Sequence, residues 1–202
     1  MKINILGGGI AGLASAIFLS KQGHEVTIVE RNDYINELGA GIQITPNALR
    51  VLDALGIRND LVNLAEQSTS LSIRRAENSA LLQKVSMHRL VKDKKVGFYH
   101  LHRHKLLNLL KDNAIKNKVK IISNQYINKI IITKDNVRIF SNDIEYDSDI
   151  LIGADGLNSI SRKKLNEDYM PKYSGFCAFR TITTLDESVD KFLYEPNLFL
   201  QK

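Results

Sequence analysis

Six residues near the start of the chain, Gly7-Gly8-Gly9-Ile10-Ala11-Gly12, restrict the fold more than any other segment. They match Gly-x-Gly-x-x-Gly. They lie between a short apolar run, Lys2 to Leu6, and a stretch in which Ile10, Leu13, Ala14, Ile17 and Phe18 recur at helical spacing. In a strand-to-helix turn, such glycines allow a tight bend and close backbone approach, and the amides that open the helix can hold a pyrophosphate. Gly23 closes the helix where a left-handed residue is wanted. Val26 to Val29 reads as a second, β-branched strand, and Glu30 follows it, 18 residues past Gly12. A carboxylate there can accept hydrogen bonds from both hydroxyls of an adenosine ribose and would repel a 2′-phosphate, although the adjacent Arg31 could tolerate one. Strand, glycines, helix, strand and acid in this order predict an α/β, Rossmann-like nucleotide-binding domain. They leave NAD(P) and FAD equally open.

Further along, Thr45-Pro46 offers an N-cap and a proline at the first helical position. Ala48, Leu49, Leu52 and Leu55 form one face of that helix, and Gly56 ends it. Leu71 to Met87 predicts a hairpin turning near Asn78-Ser79. Arg103 to Asn117 predicts an amphipathic helix with Leu106, Leu107, Leu110 and Ala114 inward. Val119 to Ile122, Ile127 to Ile132 and Val137 to Phe140 read as strands, the last two joined through Lys134-Asp135-Asn136. Ile150 to Ile152 is a final short strand, and Asn158 or Ser159 can cap the segment after it.

Composition excludes several classes. At 202 residues the chain suits one domain and part of a second. Cys177 is the single cysteine, so no intramolecular disulfide or Cys-x-x-Cys site exists, which favours a reducing, cytoplasmic compartment. The net charge of +6 arises from 28 Lys and Arg interspersed with 22 Asp and Glu. The basic clusters at Arg74-Arg75, Lys92 to Lys95, Lys116 to Lys120 and Arg162 to Lys164 lack interleaved stacking aromatics, so nucleic-acid binding is not expected. Met1-Lys2 and the following apolar run imitate an export signal, but three glycines interrupt it and a strand-helix-strand pattern continues. No run of about 18 apolar residues predicts a membrane span. His100, His102 and His104 alternate as along one strand face, yet helical periodicity begins at Arg103 and no fourth spaced metal ligand follows.

Four segments together resemble the single-component FAD-dependent aromatic hydroxylases, particularly the salicylate-hydroxylase-like branch. They are Met1 to Arg31, the run Leu38 to Leu49 that includes Gly39-Ala40-Gly41, His102 to Leu107, and Asp149 to Ser159. Asp155-Gly156 followed by Ser159 and Arg162 is not expected of an NAD dehydrogenase, so the combination turns the reading toward FAD. The resemblance implies a Rossmann-like FAD-binding domain with a central parallel sheet and an added β-meander (GR2-type) over 1–170. Residues 69–100 would form a hairpin excursion, and 171–202 the incomplete start of a β-sheet substrate domain.

It further implies that Gly7, Gly9 and Gly12, with the helix-opening Ile10 and Ala11, approach the FAD pyrophosphate. Glu30, beside Arg31, would hold the adenosine ribose, and Gly39 and Gly41 would pass the flavin ring. Arg103 would reach the cofactor from a helix start, where a planar guanidinium complements a diphosphate. Asp155-Gly156 would form a second fingerprint, touching both FAD and NAD(P)H. A third, a Gly-Asp pair on a later strand, would lie beyond residue 202. In such enzymes NAD(P)H is the co-substrate, a small aromatic such as a phenolic acid is hydroxylated, and the cofactor performs the hard step, so no catalytic side chain is assigned. The alternative is a flavin- or nucleotide-binding module without hydroxylase activity. A strand near Tyr173 to Thr183, exposing Phe176 and Phe179, would favour self-association or pairing with a complementary C-terminal portion.

Overall fold

The structure is a computed structural model, and it describes residues 1–33, 40–89, 97–142, 144–166, 170–178 and 196–200. In chain order its first elements are β1 (Lys2–Leu6), α1 (Ile10–Lys21), β2 (Glu25–Val29), β3 (Gly41–Ile44), α2 (Pro46–Ala54) and α3 (Arg58–Leu64). Then come β4 (Glu66–Ser68), β5 (Ser70–Arg75), β6 (Leu81–Ser86), β7 (Phe98–His102) and α4 (Arg103–Lys116). The remainder are β8 (Lys120–Ile122), β9 (Lys129–Ile132), β10 (Val137–Ser141), β11 (Ile144–Ser148), β12 (Ile150–Gly153), α5 (Ile160–Leu165) and β13 (Asn197–Leu200). Among the described residues no helix is long and apolar enough to cross a membrane.

The chain divides into two compact units, one of Met1–Leu38 with Leu106–Ala178, the other of Gly39–Lys105 with Phe179–Lys202. The first contains a parallel sheet in the order β12-β1-β2-β8 and an antiparallel meander, β11-β10-β9. Its strands are nearly continuous apolar runs because both faces of the sheet are covered. Ile5 and Ile28 are fully buried, as are Leu13 and Ile17 of α1, which packs on β1 and β2. One residue along, the period-2 alternation sends Leu6 and Val29 to the opposite face, where they join Ile127, Ile130 and Ile139 of the meander side in one cluster. Each such side chain contributes about 1.5–3 kcal/mol when fully buried. The expected α/β fold, with a central parallel sheet and an added meander, is therefore present.

The second unit holds two three-stranded sheets, β3-β7-β4 and β13-β5-β6. The expected hairpin is β5 and β6, and it turns at Ser79, whose φ is 57° and whose amide donates to the Arg75 carbonyl at 2.9 Å. The described end of the chain then adds β13 parallel to β5, pairing Asn197 with Ser72 and Leu200 with Arg75.

One sequence expectation does not hold over the residues described. Residues 170–178 contain no strand, and Tyr173 and Phe176 are exposed, the latter at 85%. Aromatic content alone does not make a strand where no partner edge buries one face. The rest of that segment, 179–183, lies outside the described residues, as do Gly39 and Lys92 to Lys95.

Candidate functional site

The site begins where β1 runs into α1. Gly7 has a φ of 105°, a left-handed region that favours glycine, and its amide donates to the Val29 carbonyl at 2.9 Å. A Cβ on Gly7 would stand 2.4 Å from the Ala154 carbonyl oxygen, and one on Gly12 would stand 1.9 Å from the carbonyl oxygen of Gly7. Both glycines are thus demanded by packing within the chain. Gly9 is different, because a Cβ there would meet nothing within 4 Å. It serves as N-cap of α1 with no side-chain cap, and the first intrahelical bond runs from Leu13 to the Gly9 carbonyl at 2.9 Å. The amides of Ile10, Ala11 and Gly12 consequently have no intrahelical acceptor, and the helix dipole adds positive potential at the same end. An anion fits this open concavity, and a side chain at position 9 would occupy part of it.

Sheet order explains why the concavity lies here. From β1 the chain passes through α1 to β2 on one side, whereas β12 flanks β1 on the other. The order reverses between β1 and β12, and the crevice outside the carboxyl ends of strands at such a switch point is where open α/β sheets take their ligands. Ala154, just past β12, donates its amide to the Leu6 carbonyl at 2.8 Å and forms the wall that Gly7 abuts.

Glu30 sits immediately after β2, half-buried. Its Oε2 accepts a hydrogen bond from the Gly8 amide at 2.6 Å and its Oε1 one from the Asn32 amide at 2.8 Å. Arg31 is exposed beside it. The carboxylate therefore stands at the glycine turn, a partnership that residue types alone do not reveal.

Asp155 and Gly156 follow Ala154. The Asp155 carboxylate accepts from the hydroxyls of Ser159 and Ser161, each at 2.6 Å, and from the Ser161 amide at 3.1 Å. Burial alone would raise its pKa; the hydrogen bonds from Ser159 and Ser161 outweigh that and hold it below the usual carboxylate value. Ser159 caps α5, accepting from the Arg162 amide at 2.9 Å. The Arg162 guanidinium turns back to the Gly156 carbonyl at 3.2 Å and to that of Leu157. Of the two cap candidates, Asn158 and Ser159, the structure uses Ser159; Ser161 was missed, although hydroxyls four and six residues past an acid were the available signal. A cavity of about 370 Å³ adjoins this knot, lined by Ile130, Val137 and Leu151 on its apolar side and by Asp155 and Arg162 on its polar side.

Gly41 and Arg103 belong to the second unit. Gly41 pairs with His102 across β3 and β7, and the Arg103 amide donates to the Ala40 carbonyl at 3.0 Å, so the two expected site positions adjoin each other. Nothing closer than 3.9 Å would meet a Cβ on Gly41, so packing within the chain does not demand glycine there. His100 lies on β7 opposite Gln43 and Glu66. Burial pushes its imidazole below the ordinary value, which leaves it neutral at pH 7. His102 meets His104 of α4 ring to ring at 5.3 Å.

The model of the FAD binding domain matches residues 1–198, a span that includes the glycine turn, the acid at the end of β2 and the Asp155-Gly156 turn. The chain belongs to the FAD binding domain family. Within that family it is 30% identical over 193 residues to 3-hydroxybenzoate 6-hydroxylase of Klebsiella oxytoca, covering 94% of this chain and 48% of that protein. It is 28% identical over 184 residues to 6-hydroxynicotinate 3-monooxygenase of Pseudomonas fluorescens, covering 90% and 47%. Among solved structures, p-nitrophenol 4-monooxygenase of Pseudomonas putida shares the fold with a TM-score of 0.74 at 22% identity, covering 81% of this chain and 43% of that one. Klebsiella pneumoniae HpxO complexed with FAD gives 0.72 at 22%, covering 81% and 42%. The resemblance to FAD-dependent aromatic monooxygenases is thus borne out, and this FAD-binding chain spans about half the length of the curated relatives it matches.

Proposed function

We propose that the chain supplies the nucleotide-binding part of an FAD-dependent monooxygenase acting on a small aromatic, phenolic acid-like substrate with NAD(P)H as co-substrate. The observation that carries this reading is the turn from Gly7 to Gly12, sealed on one side by Ala154 and open at Gly9. In this reading the amides of Ile10, Ala11 and Gly12 hold the pyrophosphate, and Glu30 accepts from the adenosine ribose. Arg31 stays at the rim of the ribose site, and Gly41 and Arg103 are further candidate cofactor contacts. Asp155 and Gly156 shape the switch-point wall rather than offering a free carboxylate, because three donors already occupy Asp155. Bound FAD would supply the redox chemistry, taking hydride from NAD(P)H and activating oxygen for transfer to an electron-rich ring. The names of relatives that act on hydroxybenzoates and a hydroxynicotinate support an aromatic acid as substrate. The single cysteine supports a reducing, cytoplasmic setting.

Titration with FAD and with NAD tests the cofactor, read by the visible spectrum of the purified chain and by equilibrium binding. FAD is expected to bind more tightly, and tighter binding of NAD refutes the reading.

A second reading is a flavin- or nucleotide-binding module that does not hydroxylate by itself. Without a closed, dry site, reduced flavin reacts with oxygen in water and releases hydrogen peroxide. Supplying NADH or NADPH with a panel of phenolic acids separates the two readings: coupled product supports the enzyme, and peroxide without product supports the module. Light scattering in the same samples tests self-association or pairing with a complementary C-terminal portion.

A further inference from the structure

Both oxygens of the Glu30 carboxylate are bonded to backbone amides. One oxygen takes the Gly8 amide at 2.6 Å and the other takes the Asn32 amide at 2.8 Å, so a single side chain spans from the end of β2 to the middle of the glycine turn. The Gly7 amide is fixed to the same strand end through the Val29 carbonyl at 2.9 Å. Glu30 is itself held by its backbone, whose amide donates to Ile122 of β8 and whose carbonyl accepts from Gln125, each at 2.9 Å. These bonds make Glu30 a rigid post, and the turn is fastened to it.

We infer that Glu30 is a positioning residue for the glycine turn, acting through the Gly8 amide, and that this role is separate from any contact with ribose. The inference rests on the nucleotide-site reading above and deepens it. A carboxylate–amide bond is charge-assisted and roughly twice as strong as a neutral one. That bond ties Gly8 to the end of β2, so losing it loosens the residues that aim Gly9 and the α1 amides. The same bond commits the Gly8 amide to Glu30, which leaves Ile10, Ala11 and Gly12 as the amides available to phosphate.

The test needs ligands that differ only in the ribose hydroxyls, so the probes are ADP and 2′,3′-dideoxy-ADP, measured by calorimetry on the wild-type chain, Glu30→Ala and Glu30→Gln. A residue that acts only on ribose hydroxyls changes ADP binding and leaves dideoxy-ADP untouched. A positioning residue weakens dideoxy-ADP as well, by about tenfold in Glu30→Ala for the loss of one charge-assisted bond. Glu30→Gln keeps the side-chain shape and one acceptor oxygen, and it is expected to restore part of the dideoxy-ADP affinity while keeping the fold. Amide hydrogen exchange of Gly8 and Asn32 in the nucleotide-free chain reads the same bonds with no ligand at all, and faster exchange at both is expected in Glu30→Ala. Unchanged exchange at Gly8, or dideoxy-ADP affinity equal to wild type in both variants, overturns the inference. A wild-type chain that binds neither nucleotide refutes the cofactor reading instead, and the exchange measurement still decides this one.

Discussion

Two strand-to-helix turns meet at the switch point, and they handle the same physical problem in opposite ways. After β1, the turn opens a 12-residue helix with Gly9 at the cap and no side chain on the first amides. After β12, the turn opens a 6-residue helix with Ser159 at the cap, and Asp155 collects three further donors. Helix starts leave amides without intrahelical acceptors. The second turn gives the Ser161 and Arg162 amides acceptors from within the chain, whereas the first has no side-chain cap. In the proposed reading the open turn binds and the other braces, with Ala154 as the wall against which the open one is shaped.

The sharpest way to break this pairing is Gly12→Ala. Its Cβ would lie 1.9 Å from the Gly7 carbonyl oxygen, so a loss of about 3 kcal/mol or more is expected in thermal unfolding. Asp155→Ala comes next, because it leaves the donors of Ser159 and Ser161 without their acceptor. About 2–3 kcal/mol is expected from urea unfolding, with α5 exchanging its amides first. The same carboxylate gives the second turn an acid sensitivity. Its pKa is depressed in the folded chain, so its contribution is fully present above the ordinary carboxylate value and is lost as pH falls through the lower folded one. Unfolding midpoints of wild type and Asp155→Asn should therefore converge below about pH 4.

Gly9→Ala separates binding from bracing. No atom stands within 4 Å of the added Cβ, so no clash arises and the loss of a glycine N-cap should cost about 1 kcal/mol or less, while FAD affinity should fall at least tenfold, about 1.4 kcal/mol. An unchanged FAD affinity would mean that the open concavity is not the phosphate site. The smallest effect is expected for Ser159→Ala, the loss of one cap at about 1 kcal/mol, with FAD affinity retained.

The first turn was legible from sequence because its constraints are local: glycine spacing, helical period and a strand on each side lie within 30 residues. Helix ends were legible for the same reason, since α1 and α2 stop just before Gly23 and Gly56. Elements whose stability comes from partners elsewhere were not. β4 is three polar or charged residues, Glu66–Ser68, that make a strand only because β7 lies beside them. β13 pairs with β5 across more than a hundred residues, which no local pattern encodes. The reverse error has the same origin, for the aromatic stretch at Tyr173 to Ala178 looked like a strand and lacks one among the described residues. At the site, the amide partners of Glu30 were not readable, because hydrogen bonds to backbone amides leave no trace in residue type, whereas the hydroxyls of Ser159 and Ser161 past Asp155 were a signal in the sequence.

The pairing of β1 with β12 also sets an order of events in time. Lys2 donates its amide to Asp149, 147 positions away, and the wall at Ala154 belongs to the same late segment. Synthesis proceeds at about 5–20 residues per second, so the glycine loop leaves the ribosome several seconds before the strand that completes it. A nascent chain that ends before residue 154 presents the nucleotide fingerprint without its wall, and long-range parallel pairing of this kind is slow to form. Completion of the glycine turn during synthesis is thus timed by β12, not by the motif that announces it.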